Sequence, residues 1–332
     1  MRFVSVTVAS VFYIMKFKTL LAFVGIVYIT MTTVVAQKRL FDQYSTIGGG
    51  LGTSTYVGDL APYSTPVQTV FKTFRWNINA NYTRHFTPHL AARVSLTLAR
   101  IAGDDENYNR GGKPNGQNYI RNLNFRNDLK EVAVTGIYYL VEDGRSSVRR
   151  AKFSPYIFLG FGIVAHNPKA YTPAFYEKQQ WVSLQPLGTE GQGQPGYSSP
   201  YSLVTYSVPF GLGFRKTYNE RWDIGVEAGF RFTGSDYLDD VSGRYADPNI
   251  LKSDLARDLS NRSLEEVAAR SKNTRLQTSK NITNLENPFS QPILKSDVGD
   301  LRGNSIKSDA YILTSFHINY ILPGKIKCPP LR

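Results

Sequence analysis

Residues 222–232 read Trp222-Asp223-Ile224-Gly225-Val226-Glu227-Ala228-Gly229-Phe230-Arg231-Phe232, and their alternation decides the fold. Trp222, Ile224, Val226, Ala228, Phe230 and Phe232 share one face of an extended strand. Asp223, Gly225, Glu227, Gly229 and Arg231 share the other, because successive side chains of a pleated strand point in opposite directions. A soluble sandwich would turn the charged face to water. A closed transmembrane barrel reverses the arrangement, with apolar residues toward lipid and charges toward the interior.

Seven further segments carry the same pattern, at 44–57, 71–86, 90–101, 129–141, 153–165, 203–215 and 310–322. Each is long enough to cross a bilayer as a tilted strand, which takes about 9–11 residues. The connections between them alternate in length. Short turns lie at Thr87-Pro88-His89, Asp143-Gly144-Arg145 and Tyr218-Asn219-Glu220, whereas 58–70, 102–128, 166–202 and 235–309 are long. Short periplasmic turns alternating with long outer loops, and an even strand count, are the topology of an outer-membrane barrel with both ends in the periplasm. The expected fold is therefore all-β: an eight-stranded antiparallel transmembrane β-barrel with long outer loops and a short helical insertion in the last one. Within 235–309, Asp247 followed by Pro248 predicts a capped helix carrying Leu251, Leu255 and Leu259. Ser263-Leu264-Glu265-Glu266 reads as a capping box for a second, and the polar stretch from Lys272 to Gly303 reads as a flexible excursion.

Composition fits this class. Of 332 residues, 13% are aromatic, 21 of them Tyr, and 27 are Gly, as aromatic girdles and many turns require. A mean hydropathy of -0.28 excludes a polytopic helical membrane protein and leaves a barrel open, since barrel strands are only half apolar. The single cysteine, Cys328, can form no intramolecular disulfide. From Met15 onward, Lys16 and Lys18 precede the apolar run 20–29, and Val34-Val35-Ala36 supplies small residues before Gln37. Residues 1–36 thus read as a cleaved export signal, with Met15 a candidate start, and 37–332 as the exported barrel. The competing reading is an uncleaved membrane helix. The net charge is +13, and the signal removes only three basic residues of it. Export argues against nucleic acid as the partner of that charge. Outer-membrane lipid or an acidic protein partner suits it better, beside a plainly solvated surface.

The inward positions carry Arg75, Arg93, Glu131, Arg215, Asp223, Glu227, Arg231 and His317. Eight strands enclose a lumen just wide enough to be filled by side chains, so these charges are expected to pair as a polar plug, with proton relay or conduction as the rival use. His85 and His89 have the spacing of metal ligands on a helix, but Pro88 between them breaks any helix, so no metal is assigned. His317 has no G-x-S-x-G nucleophile to serve, and no catalytic residue is assigned. The acidic run Asp236-Tyr237-Leu238-Asp239-Asp240 with Asp247 lacks the spacing of a calcium loop, and a solvated loop or a helix cap is its expected role. Gly48-Gly49-Gly50-Leu51-Gly52-Thr53 lacks the Lys-Ser/Thr of a phosphate loop, so its glycines are read as bending or close-packing a strand. No motif calls for a cofactor.

The start Ile47-Gly48-Gly49-Gly50-Leu51-Gly52-Thr53-Ser54-Thr55-Tyr56-Val57-Gly58-Asp59-Leu60 resembles the opening of PorG-type outer-membrane β-barrel proteins, which belong to the type IX secretion and gliding machinery. Asp236-Tyr237-Leu238-Asp239-Asp240-Val241-Ser242-Gly243 and Lys327-Cys328-Pro329-Pro330 agree with it. The resemblance implies a non-enzymatic barrel in the outer membrane of a Gram-negative bacterium, contacting periplasmic secretion-system subunits. The basic turn with Arg145, Arg149, Arg150 and Lys152, together with the tail 325–332, is the expected docking surface. A passive barrel for adhesion or small-solute transport, a lipid-modifying barrel enzyme, and a soluble lipocalin-like barrel are the alternatives.

Overall fold

The structure, a computed structural model, describes residues 41–61, 73–108, 116–144, 146–289 and 297–322. The export signal, Arg145 and the tail 325–332 with Cys328 lie outside the described residues.

Ten strands form one antiparallel sheet: β1 (Tyr44–Val57), β2 (Arg75–His85), β3 (Leu90–Asp104), β4 (Asn124–Tyr139), β5 (Phe153–Ala165), β6 (Pro168–Tyr171), β7 (Trp181–Ser183), β8 (Val204–Thr217), β9 (Trp222–Thr233) and β10 (Ala310–Ile321). Eight of them are the expected strands. They pair in the order β3-β2-β1-β10-β9-β8-β5-β4, and β3 pairs with β4 to close the ring. Closure leaves no free edge among these eight strands. The expected strand bounds differ from those observed by a few residues at most; β4 starts earlier, at Asn124, and β2 later, at Arg75.

The alternation of 222–232 is realised as expected. Trp222, Val226 and Phe232 are exposed, while Asp223 and Arg231 are buried. Register fixes the same choice all round the barrel, with Phe316 opposite Val226 and Ile318 opposite Ile224. Leu51, Leu96, Phe161 and Leu212 are all more than half exposed. A continuous apolar belt of this kind far exceeds the patches that soluble monomers tolerate, and lipid is the solvent that suits it. Rings gather toward both borders of the belt: Trp222 against Tyr320 at 4.9 Å at one end, Phe161 with Tyr206 and Phe210 with Phe232 toward the other. One ladder is interrupted. Pro209 in β8 has no N–H to give, and pairing with β5 lapses between Leu159↔Phe210 and Gly162↔Ser207.

The short turns lie at the end that also holds Tyr44 and Ile321. At 86–89 the Thr87 hydroxyl accepts from the amides of His89 and Leu90; at 218–221 the Asn219 side chain accepts from Arg221 and Trp222. The long connections gather at the opposite, outer end. There β6 and β7 form a small hairpin that extends β4, with Arg126 opposite Lys169. Three short helices lie there too: α1 (Gly116–Arg121), α2 (Asp254–Ser260) and α3 (Leu276–Thr283).

The last loop departs from expectation. Asp247 caps only a single turn at Pro248–Ile250, and the helix starts at Asp254 under Ser253, whose hydroxyl accepts from Ala256. No helix follows Ser263, because Glu265 turns its carboxylate to Arg262 at 2.6 Å instead of back to a cap. The stretch expected to be flexible instead contains α3. It also delivers two buried guanidiniums, Arg275 and Arg302, to the loops around it.

Candidate functional site

The lumen is packed with charge from end to end, tier by tier. At the end with the short turns Arg215 pairs with Asp143, whose Oδ2 also accepts from Tyr44 at 2.9 Å. The Arg215 guanidinium lies 4.4 Å over the Tyr139 ring. His85 is sandwiched between Tyr44 at 4.1 Å and Tyr139 at 5.5 Å. Beside this tier Arg150 pairs with Asp223 at 3.1 Å, the two side chains being 0% and 2% exposed. In the middle tier Arg93 donates to Glu227 at 2.6 Å, the Tyr156 hydroxyl donates to the same Oε2 at 2.9 Å, and His317 Nε2 lies 3.5 Å from that hydroxyl. In the next tier outward, Glu131 accepts from Tyr311 at 2.5 Å and from Ser207 at 3.1 Å, with Arg231 Nε 3.8 Å away.

Seven of the eight expected inward residues therefore belong to these tiers. Arg75 does not. It sits half-buried at the outer end of β2, where its guanidinium donates to the Phe74 carbonyl at 2.7 Å. The expected docking set also changes. Arg150 is buried against Asp223 and donates to the carbonyls of Asn219 and Glu220, so it holds two short turns together and is not free for a partner. Arg149 and Lys152 are exposed. Asp143 and Tyr156, which complete the tiers, were missed in the sequence. Asp143 sits in a short turn, and a Tyr among the inward glycines of β5 gives no charge signal.

Small residues opposite large ones make this filling possible. A side chain on Gly213 would collide with the Tyr156 ring, and one on Gly52 with the Thr314 carbonyl. Among the described residues the lumen keeps a cavity of about 30 Å³ lined by Asn77, Arg93, Thr135, Glu227 and His317, among others, and one of about 10 Å³ beside His85. A water takes roughly 10–15 Å³ on this measure, so these two cavities have room for a few waters at most. His317 faces Tyr156 within this closed space, away from the lipid-facing wall.

The outer mouth is sealed by an apolar layer. Leu60, Leu238 and Val241 come from loops and pack on Tyr56, Ile101, Phe125 and Leu129 of the wall. Just outside it, the Tyr56 phenol lies 2.6 Å from Asp239 Oδ2 and 2.5 Å from Asp309 Oδ1. One phenol hydrogen serves only one of these carboxyls, so the second contact calls for a protonated carboxyl donating to the phenol oxygen. Burial accordingly holds Asp239 and Asp309 well above the usual carboxylate range, helped by repulsion from Asp309 and Asp59 on the first and from Asp236 and Asp59 on the second. Burial raises Asp240 to about 6, against the pull of Arg302, and Asp236 to about 7. The acidic run is thus a structural part of the seal, which corrects the expectation of a solvated loop. Arg302 reaches Glu190 at 3.0 Å and the Asp240 carbonyl at 2.6 Å. Arg121 grips Asp105 at 2.8 Å and the carbonyls of Arg302 and Asp59. Among the described residues no group of three or more His, Cys, Asp or Glu is arranged to hold a metal ion.

No protein-family model and no curated protein matches the chain. Among solved structures it is similar to Ail, the attachment invasion locus protein of Yersinia pestis, in complex with the heparin analogue sucrose octasulfate, at 9% identity over 85% of this chain and 100% of that one, with a TM-score of 0.34. It is also similar to Neisserial surface protein A, at 6% identity over 84% and 98% with a TM-score of 0.37. OprG from Pseudomonas aeruginosa matches at 9% identity over 87% and 99%, with a TM-score of 0.33. Likeness at this level carries no argument about role, and the barrel rests on its own closed ladder of strands. The PorG-type resemblance stays with the motifs that suggested it. The first of them forms β1 and the turn after it, the second lies in the outer seal, and the third lies outside the described residues.

Proposed function

We propose that this chain is a non-enzymatic barrel of the Gram-negative outer membrane that serves as an anchored docking component, its periplasmic end engaging subunits of a protein-secretion machinery of the type IX class. The observation that carries the reading is the filled lumen. Cross-barrel ion pairs occupy every tier and an apolar layer of loop residues seals the mouth, which disfavours solute transport. His317 has Tyr156 as its partner inside the closed wall, which disfavours lipid chemistry. What remains available for function is the two ends. At the short-turn end Arg149, Lys152 and Arg221 are exposed; of the neighbouring acids, Asp143 and Asp223 are buried in ion pairs and Glu142 and Glu220 are exposed, which leaves a small basic excess. A basic surface of this kind suits an acidic periplasmic partner, and the PorG-type motifs suggest which machinery supplies it.

The test is affinity purification from native membranes of wild type and of an Arg149→Glu/Lys152→Glu variant. Loss of the periplasmic co-purifying proteins in the variant, with the barrel still in the outer membrane, is the expected result. An unchanged set of partners would overturn the docking reading.

A further inference from the structure

Above the apolar belt the outward faces of three neighbouring strands turn basic. Arg100 of β3, Arg126 and Lys130 of β4 and Lys169 of β6 have the same outward parity as the lipid-facing Leu98, Val132 and Val134 below them. Lys130 lies level with Leu98, Arg100 level with Asp128, and Arg126 directly opposite Lys169. From Lys130 to Arg126 the patch climbs about 13 Å along β4, at about 3.3 Å per residue. Two indoles flank it. Trp76 lies 5.6 Å from the Arg100 guanidinium and Trp181 lies 4.5 Å from that of Arg126. Tryptophans mark the level of the headgroups in membrane proteins.

Among the described residues the one carboxylate of this face, Asp128, is taken in a two-pronged pair by Arg100, at 2.5 and 3.1 Å. Arg126 Nε is buried without a hydrogen-bond partner among the described residues. Like charges directly opposite each other on paired strands destabilise the ladder, yet Arg126 and Lys169 occupy that arrangement. An arrangement of this kind is relieved by an external anion held between the two strands. The surface is continuous with the lipid-facing belt, on the side of the long connections.

We propose that this face binds the phosphorylated headgroup of an outer-leaflet glycolipid. Arg126 and Lys169 clamp a phosphate, and Lys130 extends its ammonium up to it along the wall, as long basic side chains do at membrane borders. The planar guanidinium fork of Arg126 suits two phosphate oxygens. Trp181 holds that guanidinium face-on and packs its remaining surface against the sugar and upper acyl region. The proposal rests on the outer-membrane reading given above.

The experiment uses the full chain in detergent micelles, titrated with purified lipopolysaccharide, with the same lipid after enzymatic dephosphorylation, and with inorganic phosphate, binding being read by native mass spectrometry. Wild type is expected to retain the phosphorylated lipid, and neither the dephosphorylated lipid nor millimolar phosphate is expected to replace it. Arg126→Gln/Lys169→Gln should weaken binding by roughly 30-fold, about 5-fold for each cation lost at an anionic surface, while keeping the heat-dependent gel shift of a folded barrel. A conservative Arg126→Lys variant should lie between the two. Equal binding by the double variant, or by dephosphorylated lipid, would overturn the proposal. Competition by free phosphate would assign the patch to soluble anions and overturn it too. Membrane fractionation of wild type separates the two levels of failure. A chain absent from the outer membrane refutes the underlying reading, whereas an outer-membrane chain with unchanged binding refutes only the lipid site.

Discussion

The middle tier of the lumen offers the sharpest test of the plug. Glu227 accepts from Arg93 at 2.6 Å and from Tyr156 at 2.9 Å, and the two charged side chains are 12% and 9% exposed. Glu227→Gln keeps the volume but removes the charge that neutralises Arg93. Breaking a buried pair from one side costs about 3–5 kcal/mol, because the surviving charge stays desolvated. The small polar cavity beside it admits water to that charge, so the lower end, about 3 kcal/mol, is expected here. Arg93→Met alone should cost a similar amount by stranding Glu227. The double variant Arg93→Met/Glu227→Leu removes both charges and should lie within about 2 kcal/mol of wild type, since an apolar replacement of a whole buried pair is often nearly neutral. The assay is urea unfolding in lipid vesicles, followed by tryptophan fluorescence and by the heat-dependent gel shift. A loss below about 1 kcal/mol for Glu227→Gln, or a double variant as unstable as the two single costs added together, would refute the reading of this tier as a closed ion-pair plug.

Two further outcomes are expected. The outer seal should loosen as pH rises. Folding holds Asp240 up at about 6 and Asp236 at about 7 against about 4 in an unfolded chain, so the folded seal binds protons that the unfolded chain has lost. Its stabilisation is complete below about pH 4 and is lost as pH climbs through those values, on the order of 3 kcal/mol for the fully buried Asp240. Hydrogen exchange at the Leu238 and Val241 amides, corrected for intrinsic rate, should show less protection at pH 8 than at pH 5; equal or greater protection at pH 8 would contradict it. On the belt, Val226→Lys should destabilise the barrel by about 2–4 kcal/mol if that position lies near the membrane midplane, whereas the same change at the exposed periplasmic Tyr218 should cost little; equal effects in vesicle unfolding titrations would argue against a lipid-facing belt.

The barrel was readable from sequence because its physics is local. Each strand carries its own alternation, and the lengths of the connections sort them to two ends without any knowledge of contacts. The outer seal was not, because its determinants are long-range. Asp239 and Asp240 are followed by Val-Ser-Gly, a pattern that suits a solvated turn. Only the approach of Tyr56, Arg302 and Asp309 from distant parts of the chain turns them inward. The capping-box reading at Ser263 failed for a related reason. Glu265 had a local partner, the Ser263 turn, and a stronger one in Arg262, which is itself fixed by Asn124 and the Tyr171 carbonyl. Arg150 shows the same limit at the other end. A basic turn looks free until Asp223, on a strand two ladders away in the sheet, is brought beneath it.

The choice of a charged filling over an apolar one follows from the route and the register together. An apolar lumen would make each strand hydrophobic on both faces. A continuous apolar run approaches the pattern of a membrane helix, which export must avoid. Alternation avoids that and adds a penalty for error, since a slip of one residue in any ladder would move Arg93, Glu131, Arg215 or Glu227 from the lumen into lipid. The pairs themselves join residues far apart in the chain: Arg93 to Glu227 across 134 positions and Arg215 to Asp143 across 72. They are satisfied only when the ring closes with all eight strands in register, so the network specifies one barrel as well as filling it. With the lumen given over to these pairs, the polar side chains that leave the wall gather at the basic short turns, at the outer seal, and on the basic outward face of β3, β4 and β6.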